Sequence, residues 1–164
     1  MATVEEMARV VLIGVGATLV MDLWTALLKA LGASTLNYAL VGRWAGHLLH
    51  GQLAHASIGK AVPIRGELPL GWAIHYGVGI AFAVLLVLLC GTGWLRDPTW
   101  EGAVVVGMAT VVFPLLVMQP AMGAGIAGSR TPTPFKNGLR SLATHAVFGS
   151  GLYLSAAVLK RIWT

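Results

Sequence analysis

The chain has 164 residues, 57% of them hydrophobic and only 10% charged. A soluble domain carries about 25% charged residues, so this one cannot cover its surface in water and needs lipid; its length suits one domain. The net charge of +5 comes from residues in loops and at helix ends. With no basic stripe interleaved with aromatics, nucleic acid is excluded as the expected partner and the lipid bilayer remains.

The N-terminus carries Glu5 and Glu6 where a signal peptide would be basic, and the following apolar run lacks a small-x-small cleavage site. It reads as a retained first span, expected at about residues 8–31, with Asp22 as the one charge between Val10 and Leu28. Loop 1 follows, from about Gly32 to Glu67. Within it, Leu36, Leu40, Trp44 and Leu48 recur every fourth residue, while Arg43, His47 and His50 fall on another side. That amphipathic spacing predicts a short interfacial or re-entrant helix over Thr35–Leu49.

A second span is expected at about 69–91, since Leu68–Leu95 contains no Asp, Glu, Lys or Arg. Cys90 near its end, the only cysteine, excludes an intrachain disulfide and a cysteine-based zinc site. After the short connection Arg96–Thr99 comes a third span, about 102–126, uncharged but interrupted by Pro114 and Pro120. Loop 3 holds Arg130-Thr131-Pro132-Thr133-Pro134, which no regular helix accommodates. Asn137 is a plausible N-cap for the fourth span, about 139–160. Roughly 20 apolar residues cross a hydrocarbon core, and no period-2 alternation suggests a barrel. Trp24, Trp72, Trp94, Trp100 and Trp163 near span ends fit aromatic belts. The expected fold is therefore all-α, a polytopic membrane four-helix bundle forming a single domain over 1–164. Loops 1 and 3 hold seven of the 11 Lys and Arg residues, which orients both loops to the cytoplasm and both termini outside.

Each span carries one conspicuous polar residue: Asp22, His75, Gln119 and His145. Such groups are costly in lipid without a partner, so they are expected to face the bundle interior. Counted from the nearest span end, each lies about 8–13 Å deep, in the half nearest loops 1 and 3. Thr18 and Ala26 flank Asp22 at four residues, Gly71 and Gly79 flank His75, and Ser141 and Gly149 flank His145. Small residues on the same face let membrane helices approach. Leu19-Val20-Met21-Asp22 resembles Leu116-Val117-Met118-Gln119, and Ala73-Ile74-His75 resembles Ala143-Thr144-His145. These matches suggest two repeated helical hairpins about an axis along the membrane normal.

The elements Met21-Asp22-Leu23-Trp24, Leu36-Asn37-Tyr38, Gly42-Arg43-Trp44, His75-Tyr76, Gln119-Pro120, Ser129-Arg130-Thr131-Pro132 and Thr144-His145 resemble an uncharacterised family of small bacterial membrane proteins, a domain of unknown function. The resemblance covers nearly the whole chain. It implies an inner-membrane location and brings no reaction, ligand or partner.

Four readings of the polar set stay open. Asp22, His75, Gln119 and His145 could tie the bundle together by hydrogen bonds alone. They could form the proton or substrate site of a small proton-coupled transporter, with Asn37, Arg43, His47 and Arg130 at the loop-side mouth and a homodimer completing the pathway. His75 and His145 could ligate haem, or Asp22, His75 and His145 a divalent metal. A lipid- or quinone-modifying enzyme could use His47, His50, His55 and Glu67, although no nucleophile elbow, phosphate loop or metalloprotease motif is present.

Overall fold

The structure is a computed structural model describing residues 3–163. The regular structure of those residues is all helical, without strands, and four helical segments have the length and apolar character to cross a membrane: Val4–Ala30, Glu67–Cys90, Trp100–Ala121 and Pro134–Ile162. They gather into two compact units. The first combines the chain up to Ser34, Tyr76–Thr110 and the chain from Ala143 on; the second combines Thr35–His75 with Val111–Leu142.

In the first unit, helix α1 (Val4–Ala30) begins with a reciprocal cap. Thr3 Oγ1 accepts from the Glu6 amide at 3.1 Å, and the Glu6 carboxylate accepts from the Thr3 amide at 2.9 Å. The acidic start is thus a helix-capping device that satisfies two otherwise orphaned amides. α1 packs with the later part of α3 (Glu67–Cys90), with α4 (Trp100–Ala109) and with the later part of α6 (Pro134–Ile162). Ile13, Ala17, Leu86, Ala103, Phe148 and Leu152 form the core of this unit. Large apolar side chains also point outward: Leu88 is 76% exposed, Leu23 72% and Val105 67%. A surface of that kind is stable against hydrocarbon rather than water.

Backbones in this unit approach too closely for larger residues. A Cβ on Gly149 would lie 2.8 Å from both the Ala103 carbonyl oxygen and Val104 Cα, and one on Gly107 would strike Gly149 itself. Gly79 faces Gly14 and Thr18 in the same manner. Gly79 and Gly149 each follow a histidine by four residues, as the repeat requires. Their partners do not keep step: Gly14 precedes Asp22 by eight residues, whereas Gly107 precedes Gln119 by twelve. The packing register and the Leu-Val-Met register therefore differ by about one helical turn.

The third span accounts for that offset, because it is discontinuous. α4 ends at Ala109, Thr110 and Val111 form a turn, Pro114–Met118 is a π-helical turn, and α5 (Gln119–Ala121) closes the segment. Pro114 has no amide for the carbonyl of Thr110, nor Pro120 for that of Leu116. The Gln119 amide instead reaches the Pro114 carbonyl five residues back. The helix stops at Ala121, short of residue 126, where Gly123 and Gly125 take φ values of 92° and 78°.

In the second unit, loop 1 contains the expected amphipathic helix, α2 (Tyr38–Leu48). Asn37, set at the loop-side mouth by the sequence reading, is its N-cap: the side-chain oxygen accepts from the Ala39 amide at 3.0 Å. α2 lies directly on the start of α3, where a Cβ on Gly42 would strike the Glu67 carbonyl and one on Gly71 the Tyr38 carbonyl. Further along loop 1, the His55 and Ile58 amides donate to the Ala121 and Met122 carbonyls at 2.8 and 3.0 Å. Loop 1 thereby satisfies carbonyls left open where the third span ends. α6 starts at Pro134, not near Asn137, because proline suits the first helical position. Asn137 donates back to Thr131 Oγ1 at 2.9 Å, tying the first turn to loop 3.

Candidate functional site

Asp22 and His145 belong to the first unit, His75 and Gln119 to the second. Asp22 is half-buried on α1, and its Oδ2 accepts a hydrogen bond from the Tyr76 hydroxyl of α3 at 3.0 Å. This is the carboxylate partner that lipid burial demands. Two residues further along α1, Trp24 Nε1 donates to Thr144 Oγ1 of α6 at 3.3 Å.

His145 is buried on α6 against α4. Thr110 Oγ1 donates to the Gly107 carbonyl at 2.5 Å, so that hydroxyl can only accept from the histidine. His145 Nδ1 lies 2.9 Å from Thr110 Oγ1 and 3.3 Å from the Gly107 carbonyl oxygen. Both partners are acceptors, which assigns the proton to Nδ1. His145 thus ties α6 to α4 at the point where the third span breaks.

In the second unit, His75 Nε2 lies 3.0 Å from the Tyr38 hydroxyl. The Tyr38 ring packs between neighbours, with centroids 4.4 Å from both His75 and Trp72. Gln119 is half-buried, and its Oε1 is enclosed next to Gly128 with no hydrogen-bond donor among the described residues. An unpaired enclosed amide oxygen is costly and sits where the third span unwinds.

The loop residues are committed to one another. Arg43 is buried and forms a fork on Glu67, with Nε–Oε2 and Nη2–Oε1 both at 2.8 Å. Its Nη1 donates to the carbonyls of Ala61 at 3.1 Å and Ile58 at 3.4 Å. The Glu67 hydrogen bonds hold the Arg43 guanidinium pKa above its ordinary value. This arginine closes loop 1 onto α3, and much of its charge is matched there. His47 and His55 stack at 4.9 Å with Nδ1 of His47 2.7 Å from Nε2 of His55, and His47 Nε2 lies 3.0 Å from the Val62 carbonyl. His50 Nδ1 is 2.9 Å from the Gly46 carbonyl. Arg130 is exposed in loop 3.

Among the described residues, no group of three His, Cys, Asp or Glu side chains is placed to hold a metal ion. The sequence reading missed Tyr76, Tyr38 and Thr110, the partners of Asp22, His75 and His145. The adjacent pair His75-Tyr76 was the available signal: consecutive helical residues point about 100° apart, so one position can serve two neighbours.

No curated protein and no solved structure matches the chain. The pattern of one family, described as protein of unknown function (DUF2938), matches residues 11–159. That stretch holds all four spans' polar residues and both loops, and the chain belongs to this family.

Proposed function

We propose that the protein is a small proton-coupled membrane transporter, with Asp22 and His75 as the groups that exchange protons. The observation carrying this reading is the Asp22–Tyr76 pair, a carboxylate held by a phenol between two apolar spans. Ionisable groups at such positions are expensive and commonly serve proton relays. The discontinuous third span and the enclosed Gln119 Oε1 give further support, since broken helices with open polar groups line the substrate sites of many transporters. Exposed Arg130 favours an anionic substrate entering from the side of loops 1 and 3. In this reading the protein lies in the bacterial inner membrane, loops 1 and 3 are cytoplasmic, and a homodimer completes the pathway. His145 acts differently: its bonds to Thr110 and Gly107 favour a structural tie.

The test uses proteoliposomes loaded with the pH dye pyranine and given a gradient of small carboxylates or phosphate esters. The expected result is a solute-dependent change of internal pH that Asp22→Asn removes. Flux unaltered in Asp22→Asn would remove the assigned role.

A further inference from the structure

The third span ends against loop 1 of the same unit. The His55 and Ile58 amides donate to the Ala121 and Met122 carbonyls, and Gly123 sits so close that a Cβ on it would strike the Ala56 carbonyl. Residues 53–58 thus form a strap across the end of α5. His55 and Ile58 are buried, whereas Ala56 and Ser57 between them are exposed. Met122, at the seam, is buried as well. Gln119 stands two residues before Ala121 on α5, about 3 Å of rise from the seam, and its Oε1 is enclosed.

The two sides of the seam differ in how firmly they are held. On the strap side, Trp44 Nε1 donates to the Leu53 carbonyl at 3.0 Å, and Arg43 Nη1 donates to the Ile58 and Ala61 carbonyls. His47 bonds His55. Arg43, Trp44 and His47 belong to α2, whose backbone lies directly on the start of α3 at Gly42 and Gly71. The strap is therefore fixed to a membrane-length helix. On the other side, α5 has three residues and joins the rest of the third span through the π-helical turn Pro114–Met118. Pro114 and Pro120 remove two amides from this stretch, and Gly123 and Gly125 follow it with positive φ. Such interruptions let a helix bend, and residues at the ends of elements commonly serve as hinges.

We propose that α5 is the loop-side gate of the transport path, closed here against the strap and opened when α5 swings off it about the π-helical turn. This rests on the transport reading above. The closed state is held by the His55 and Ile58 bonds and by the fit of Gly123 against Ala56, a seam slight enough to part locally. Opening frees the Ala121 and Met122 carbonyls and gives solute from the side of loops 1 and 3 access to Gln119.

The test starts from Cys90→Ser, which removes the only cysteine. Met122→Cys and Ser57→Cys are each reacted with a water-soluble maleimide in lipid nanodiscs. Met122→Cys is expected to react about tenfold or more slowly than Ser57→Cys. Gly123→Ala props the seam open, and Ile58→Pro deletes the Met122 donor at a first helical position that proline suits. Each should quicken the labelling of Met122→Cys about five- to tenfold. Ala56→Cys with Ala124→Cys is then joined by a short bismaleimide, and the pyranine assay is repeated. Joining is expected to abolish the solute-dependent pH change that the unjoined protein shows. Equal labelling of Met122→Cys and Ser57→Cys, or labelling unmoved by both seam variants, would overturn the closed seam. A full pH change in the joined protein would overturn the gate and leave the transport reading standing. No pH change in the unjoined protein would instead overturn the transport reading, and the gate with it.

Discussion

The Tyr76 hydroxyl donates to the Asp22 carboxylate at 3.0 Å across 54 residues of sequence. If this bond carries the stability of the pair, Tyr76→Phe and Asp22→Asn should be non-additive. A double-mutant cycle on thermal unfolding in detergent is expected to give a coupling of about 1 kcal/mol. A coupling of zero would mean the two side chains stabilise the protein independently.

The glycine contacts predict opposite outcomes for similar substitutions. Gly107→Ala forces α4 away from Gly149 and should cost about 1–3 kcal/mol, the usual range for overpacking. Gly77→Ala, on α3, adds a methyl with nothing within 4 Å and should be neutral or slightly stabilising. Urea or thermal unfolding of the two variants side by side checks the contrast. Equal destabilisation would contradict the close approach of α4 and α6.

The Arg43–Glu67 fork makes charge alone insufficient in loop 1. Arg43→Lys keeps the charge but cannot reproduce two parallel bonds and the contacts to Ile58 and Ala61. Limited proteolysis should cut between Leu49 and Arg65 faster in Arg43→Lys than in the parent chain. A comparable acceleration is expected in Glu67→Gln, and no further acceleration in the double variant. Unchanged cleavage would show that the fork does not hold the loop.

His47 and His55 share one hydrogen bond at 2.7 Å, and His47 Nε2 faces the Val62 carbonyl. The Val62 oxygen accepts only, so His47 carries its proton on Nε2 and accepts at Nδ1 from His55. Removing that acceptor in His47→Phe should loosen the loop: hydrogen exchange at the His55 and Ile58 amides, which bond Ala121 and Met122, is expected to quicken, and exchange equal to that of the parent chain would show that the histidine pair does not hold loop 1.

The four spans were legible in the sequence because hydrocarbon sets a length and a composition, and both are local properties. α2 was legible for a similar reason: its apolar residues recur every fourth position. The third span was legible only in part. Pro114 and Pro120 signalled a break, but hydropathy counts the glycines after Ala121 as apolar and carries the helix too far. The polar partners were not legible. Tyr76 is one more large side chain in an apolar run until α1 brings Asp22 beside it, and Tyr38 lies 37 residues from His75. Helical spacing put Arg43 on the polar face of α2 and so suggested a mouth. The spacing held no information about Glu67, 24 residues on, which takes up that charge.

The central claim is that Asp22 takes up and releases a proton within the membrane. Infrared difference spectra of the protein in lipid, recorded as the pH is stepped, read this directly through the carboxylic-acid carbonyl band. The account predicts a band that appears on acidification, shifts in Tyr76→Phe because the phenol bonds this carboxylate, and is missing in Asp22→Asn. A spectrum of Asp22→Asn identical to that of the parent chain would contradict it.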